Sequence, residues 1–237
     1  MRLCIFTSAL LAMGLCAAAP AQQTLNDGNQ LSYGTVYGGK LSYDSSGTLK
    51  TPCTDSKIAI GSCYSLSFSS NPKSNLDTNH LDSPRQRNEF RTPWAVAGEK
   101  HTYSWKQYLY SSTGTGSTFF HLMQVFDNNS GNPVVTLDAR NGKVQMESQT
   151  LCGSGCPSIP ISSYTDRTTV HTMVITYGPQ GSMTYTVTDA STKRTLISFS
   201  VKGSLGSSKT AVKFGTYRAA FSGMTAVLAG VGDYTVQ

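Results

Sequence analysis

The chain has 237 residues, of which only 14% are charged, and 19 Lys and Arg against 13 Asp and Glu give it a formal net charge of +6. The basic residues are scattered rather than gathered into a stripe, which argues against a nucleic-acid binder. Moderate basicity of this kind suits either attraction to an acidic polymer or simply a soluble surface away from its isoelectric point.

Met1-Arg2 makes a short basic start, Leu3 to Ala19 is apolar and small, and Ala19-Pro20-Ala21 fits the small-x-small cleavage rule. Residues 1–21 therefore read as a signal peptide and residues 22–237 as one exported domain. The apolar run is too short, and too interrupted by Ser8 and Gly14, for a membrane anchor, and no later stretch has spanning length. The protein is expected to be secreted, extracellular or periplasmic, and to act as a monomer. Beyond the leader, Gln22 to Lys50 is rich in Gly, Ser and Tyr, is the least legible part of the domain and is expected to be partly mobile.

Export favours disulfides, and the four cysteines left after cleavage, Cys53, Cys63, Cys152 and Cys156, allow three connectivities. Local closure, Cys53–Cys63 and Cys152–Cys156, is the simplest. A zinc site is a poor alternative, because the spacing is loose and no histidines cluster with the cysteines.

From residue 85 onward the pattern is strand after strand, without a sustained helical period. Alternation marks residues 101–110, 118–126, 134–139, 170–177, 183–188, 195–201 and 211–217. Turn signals separate these runs at residues 127–133, 141–142, 178–181 and 203–208. Many short strands at this spacing predict an all-β fold of two antiparallel sheets, a β-jelly-roll sandwich whose concave face is a cleft for an extended polymer. Asp127 to Asn132 offers oxygen ligands of the kind a structural calcium takes, but turn chemistry accounts for the same residues; no other metal and no cofactor is expected.

Three motifs carry chemistry. In Arg85-Gln-Arg-Asn-Glu-Phe-Arg91, strand alternation puts Arg85, Arg87, Glu89 and Arg91 on one face. Three guanidiniums beside one carboxylate suit a planar anionic ligand, although a solvated ion-pair ladder has the same pattern. In His121-Leu-Met-Gln-Val-Phe126, simple alternation groups Phe120, Leu122, Gln124 and Phe126 and turns His121 and Met123 the other way. A buried Gln124 then needs a partner, either a ligand or neighbouring backbone. In Lys213-Phe-Gly-Thr-Tyr-Arg218, Lys213, Gly215 and Tyr217 share a face, and Gly215 marks either a bulge or a place of close approach.

In this order, Arg-x-Glu-x-Arg, a Gln-bearing strand and Lys-x-Gly-x-Tyr resemble the jelly-roll alginate lyases. The stretches Arg85 to Glu89, His121 to Gln124 and Lys213 to Arg218 are more closely similar to glucuronan lyase and its secreted relatives, over roughly residues 60 to 220. The resemblance implies cleavage of a 4-linked polyuronate by β-elimination. It assigns proton transfer to Tyr217 and carboxylate neutralisation to Gln124. It implies substrate contacts from Arg85, Arg87, Glu89, Arg91, Lys213 and Arg218, with His80 as a further catalytic candidate. Where alginate lyases carry Gln-x-His, the third position here is Phe126, which implies a route through Tyr217 alone. In glucuronate and mannuronate the C5 proton and O4 lie on the same side, so one residue can serve both steps. The expected partner is therefore an acidic polysaccharide, glucuronan or a mannuronate-rich polymer. A non-catalytic binding sandwich is the alternative; a glycoside hydrolase would need two suitably spaced acids, and no paired acidic motif is present.

Overall fold

The computed structural model describes residues 21–153 and 155–237, so the leader, apart from Ala21, lies outside the described residues. Sixteen strands form two antiparallel eight-stranded sheets packed face to face, as the alternation predicts. The first sheet runs in the order β1 (Gln23–Asp27), β4 (Thr48–Thr51), β5 (Cys63–Phe68), β16 (Val227–Val236), β7 (Lys100–Leu109), β12 (Thr168–Thr176), β13 (Gly178–Asp189) and β14 (Thr195–Leu205). The second runs β11 (Ser158–Pro160), β10 (Lys143–Glu147), β9 (Asn132–Arg140), β8 (Phe120–Asp127), β15 (Thr210–Ala219), β6 (Arg85–Arg91), β3 (Leu41–Ser45) and β2 (Ser32–Val36).

The core lies between the sheets, where side chains at every second position interdigitate. Trp105 of β7 is fully buried and stacks on Phe214 of β15 with ring centres 4.6 Å apart, joining the layers at mid-sheet. Phe90, Leu122, Met123, Leu137 and Val212 carry the same layer across the second sheet. Each such side chain removed from water contributes about 1.5–3 kcal/mol. The core also encloses a histidine: His171 contacts Tyr185 Oη through Nδ1 (2.6 Å) and Tyr164 Oη and Thr169 Oγ1 through Nε2 (3.1 and 3.0 Å).

The segment Gln22 to Lys50, the part least legible in the sequence, supplies β1, β2, β3 and most of β4, because its polar residues face outward while Leu41, Tyr43 and Leu49 face the core. Gly178 to Gly181 turns the chain as expected, between Thr176 of β12 and its antiparallel partner Ser182, while already pairing with β14 in a register that shifts between the two glycines. Both disulfides are local, Cys53–Cys63 and Cys152–Cys156. No described helix is long and apolar enough to cross a membrane.

Candidate active site

The outer face of the second sheet carries a cleft of about 310 Å³ that crosses β2, β3, β6, β15, β8 and β9. Strand alternation builds its floor. On β6 the side chains of Arg85, Arg87, Glu89 and Arg91 share the outer face, opposite Gln86, Asn88 and Phe90. The neighbouring β15 runs in unbroken register with it, pairing Lys213 with Arg91, Gly215 with Glu89, and Tyr217 with Arg87.

The second motif, on β8, departs from simple alternation. The pairings of β8 shift on both sides between His121 and Met123: His121 lies opposite Tyr217 and Asp138, while Gln124 lies opposite Lys213 and Thr136. Leu122 and Met123 are consecutive and both fully buried, so this bulge takes up one residue and reverses the phase of the strand. His121, expected on the face opposite Gln124, therefore joins Gln124 and Phe126 in the cleft. Phe120 and Leu122 go to the core instead. Gly215 sits beside the bulge at φ +137°, and a Cβ there would lie 2.3 Å from the Asn88 carbonyl oxygen. It is the approach of β6, rather than of a ligand, that requires glycine. The Gly215 carbonyl accepts a 3.0 Å hydrogen bond from Gln107 Nε2 of the opposite sheet, which ties the bulge to the core.

The polar groups of the floor form one connected set. Arg87 donates from Nε to Asp77 Oδ2 (2.9 Å) and from Nη1 to Glu89 Oε2 (2.8 Å). Gln124 Nε2 donates to the other oxygen of Glu89 at 2.6 Å, which supplies the partner its burial demands. His80, in the short 3-10 turn Thr78–His80 at the cleft wall, contacts the same Asp77 oxygen through Nδ1 at 3.0 Å. Burial opposes ionisation of Asp77, but the Arg87 charge and hydrogen bond outweigh it and hold the carboxyl below the usual carboxylate range.

Tyr217 stands at the centre. Arg85 Nη1 donates to its Oη at 2.9 Å, and the Arg87 guanidinium carbon lies 3.9 Å from its ring centre. Burial raises its pKa, and the nearby arginines only partly offset that, so the resting group is a phenol. Its neighbour His121, with ring centres 5.7 Å apart, contacts Asp138 Oδ1 through Nδ1 at 2.7 Å. Asp138 is buried, which would raise its pKa. Hydrogen bonds from His121 and Thr136 reverse the effect and keep it ionised. An ionised acceptor at Nδ1 fixes the proton there and leaves Nε2 as the basic nitrogen. Lys213 is 8% exposed, with Nζ 3.7 Å from the Phe126 ring centre and no hydrogen bond or ion pair to protein among the described residues. Burial lowers its pKa.

Two of the residues assigned by resemblance lie elsewhere. Arg218 points away from the cleft, 2% exposed, donating to Gln86 Oε1 (2.9 Å) and to the Ser69 carbonyl (3.2 Å). Strand parity with Tyr217 requires this, so it is corrected to a core residue. Arg91 does not line the cleft; it stacks on Trp94 at 4.4 Å and donates to Ser42 Oγ beside it. Glu89 lies beneath the floor, its carboxylate taken up by Arg87 and Gln124. Asp127, read as a calcium candidate, accepts from Asn129 N and Ser207 Oγ in its turn. The sequence reading missed Asp44, Asp77, His121 and Asp138.

The fold is that of the jelly-roll polysaccharide lyases. Similar solved structures include the endo-β-1,4-glucuronan lyase of the fungus Trichoderma reesei, at TM-score 0.55 and 13% identity over 80% of this chain and 86% of that one. A family 7 alginate lyase with substrate bound matches at TM-score 0.51 and 13% identity over 78% and 82% of the two chains. The alginate lyase from Corynebacterium sp. matches at 0.51 and 12% over 77% and 78%. No protein-family model matches the chain, and no curated protein matches it in sequence. At these identities the likeness is one of fold.

Proposed function

We propose that this protein is an exported polysaccharide lyase that cleaves at a 4-linked uronate unit by β-elimination. The observation that carries the proposal is the adjacency of Tyr217, a phenol held by Arg85, and His121, an imidazole backed by Asp138, beside the buried Lys213 ammonium. The fold shared with alginate and glucuronan lyases supports it. The two disulfides and the basic-apolar N-terminus are consistent with export.

In this reading the uronate carboxylate lies against Lys213 Nζ and the free Nε2 hydrogen of Gln124, which withdraw charge and acidify the C5 proton. His121 Nε2 takes that proton. The C5–H electron pair becomes the C4–C5 double bond, the C4–O4 bond breaks, and the Tyr217 hydroxyl gives its proton to O4. Arg85 and Arg87 stabilise the phenolate until the imidazolium proton of His121 is passed back to it through water, which restores both groups. Asp138 stabilises the imidazolium, and Asp77 and Glu89 hold Arg87 in place.

His121 replaces the Tyr-only route expected from the sequence. Base and acid are cross-strand neighbours on one face of one sheet, so both approach the sugar from the same side. This suits glucuronate and mannuronate, where the C5 proton and O4 lie on one side. Incubation with glucuronan, polymannuronate, polyguluronate and polygalacturonate, following ultraviolet absorbance of the new double bond together with reducing ends, tests the proposal. Absorbance should grow fastest with the first two. Reducing ends without absorbance would indicate hydrolysis, and faster cleavage of either of the last two would refute the one-sided geometry.

A further inference from the structure

Past His121 the cleft continues into a second cavity of about 450 Å³, lined by both His121 and Pro133, which also line the first. The two cavities differ in charge. The first is lined by the cations Arg85, Arg87 and Lys213 and by Asp44 and Asp77. Arg87 is taken up by Asp77 and Glu89, which leaves Arg85 and Lys213 without an ion pair among the described residues and suited to a carboxylate. Among the described residues the second is lined by no lysine or arginine; its ionisable groups besides His121 are Asp138 and Glu147. Its walls combine apolar groups, Pro133, Val134 and the Cys152–Cys156 bridge, with the neutral polar side chains of Thr136, Ser148 and Gln149. Glu147 lies on the cleft side of β10, where Arg140 Nη1 donates to its Oε1 (3.2 Å) and Oε2 (3.1 Å). A second uronate here would meet the Glu147 carboxylate, with Asp138 buried behind His121, and no cation that is not already engaged among the described residues.

From this asymmetry we infer that the unit next to the cleaved uronate is an uncharged sugar, so that the substrate is a heteropolysaccharide in which uronate and neutral units adjoin. The inference rests on the lyase reading for the identity of the cut unit but not for the preference itself. An uncharged pyranose presents C–H faces to Pro133, Val134 and the disulfide and hydroxyl donors to Glu147, a pairing that a carboxylate disrupts by like-charge repulsion. Specificity of this kind comes as much from what the cavity repels as from what it holds.

The test compares glucuronan with the same polymer after part of its carboxyls have been reduced to hydroxymethyl groups, which changes charge but not linkage. Initial rates of double-bond formation per remaining uronate should be roughly threefold higher on the reduced polymer at moderate salt. Glu147→Gln should bring the ratio toward one, and Gln149→Lys, an exposed substitution at the cavity wall, should move it further toward glucuronan. A ratio of one or below in the wild type, or a ratio unmoved by both variants, would overturn the inference. If neither polymer gives absorbance, the lyase reading fails. Dissociation constants for the two polymers then decide the preference: tighter binding of the reduced one supports it, and equal or weaker binding refutes it.

Discussion

Asp77 Oδ2 receives the Nε of Arg87 at 2.9 Å, and through this one contact a loop residue sets the plane of the guanidinium that lies against the Tyr217 ring. The opposite fork of Arg87 is held by Glu89, so both prongs are engaged. A lysine keeps the charge but cannot bridge the two carboxylates. Arg87→Lys is therefore expected to lower kcat about 10- to 100-fold. Steady-state kinetics on a cleaved polyuronate measure this, and unchanged kcat would show that charge alone suffices.

The assignment of His121 makes its own prediction. Removal of a positioned base typically costs about 10²–10⁴-fold, and His121→Asn should fall in that range. Asp138→Asn should also slow turnover, because the proton then no longer belongs on Nδ1 and Nε2 ceases to be the free base. Polymer binding should persist in both variants. Full activity of His121→Asn would return the mechanism to Tyr217 alone.

The bulge that exposes His121 depends on Gly215 and Gln107. Gly215→Ala brings a Cβ to 2.3 Å from a backbone oxygen at a left-handed φ, and a loss of at least about 2 kcal/mol is expected. Gln107→Leu leaves the Gly215 carbonyl without its donor and should cost about 1–3 kcal/mol. Urea denaturation reads both. If the bulge transmits the damage, Gln107→Leu should also reduce activity, although Gln107 lies in the other sheet.

Acid stability should be set in part by His171. It is fully buried, and burial lowers its pKa to about 3, against 6.5 unperturbed. Between those values the unfolded chain binds a proton that the folded protein does not, so stability falls as pH drops from 6.5 toward 3. The loss is on the order of a few kcal/mol across that window. A variant such as His171→Asn should be less stable at neutral pH but should lose less on acidification. Melting temperatures at several pH values test this, and parallel curves for the two proteins would exclude His171 as the source.

Much of the fold could be read from alternation alone, because the first sheet buries one face and exposes the other over long runs such as residues 101–110 and 170–177. The Arg85 to Arg91 face and the Lys213–Tyr217 pair follow from the same period, since β6 and β15 pair without a shift. The phase of β8 was hidden: nothing in Leu122-Met123 announces a bulge, and one added residue moves His121 to the other side. Asp138 left a signal, because Thr136, Asp138 and Arg140 alternate with Val135, Leu137 and Ala139, as an outward polar row should. Asp77 meets Arg87 through loop packing, and Asp44 reaches the cleft through the pairing of β3 with β6 opposite Glu89, neither of which spacing along the chain encodes.

The central claim is that Tyr217 transfers a proton during elimination at a bound uronate. Its most direct test is Tyr217→Phe, assayed for growth of unsaturated-uronate absorbance and, separately, for polymer affinity. The phenylalanine keeps the ring against Arg87 and loses only the hydroxyl that Arg85 contacts. The account predicts affinity within about twofold of wild type and a rate lower by roughly 10²-fold or more. Wild-type rates of absorbance growth in Tyr217→Phe would contradict it.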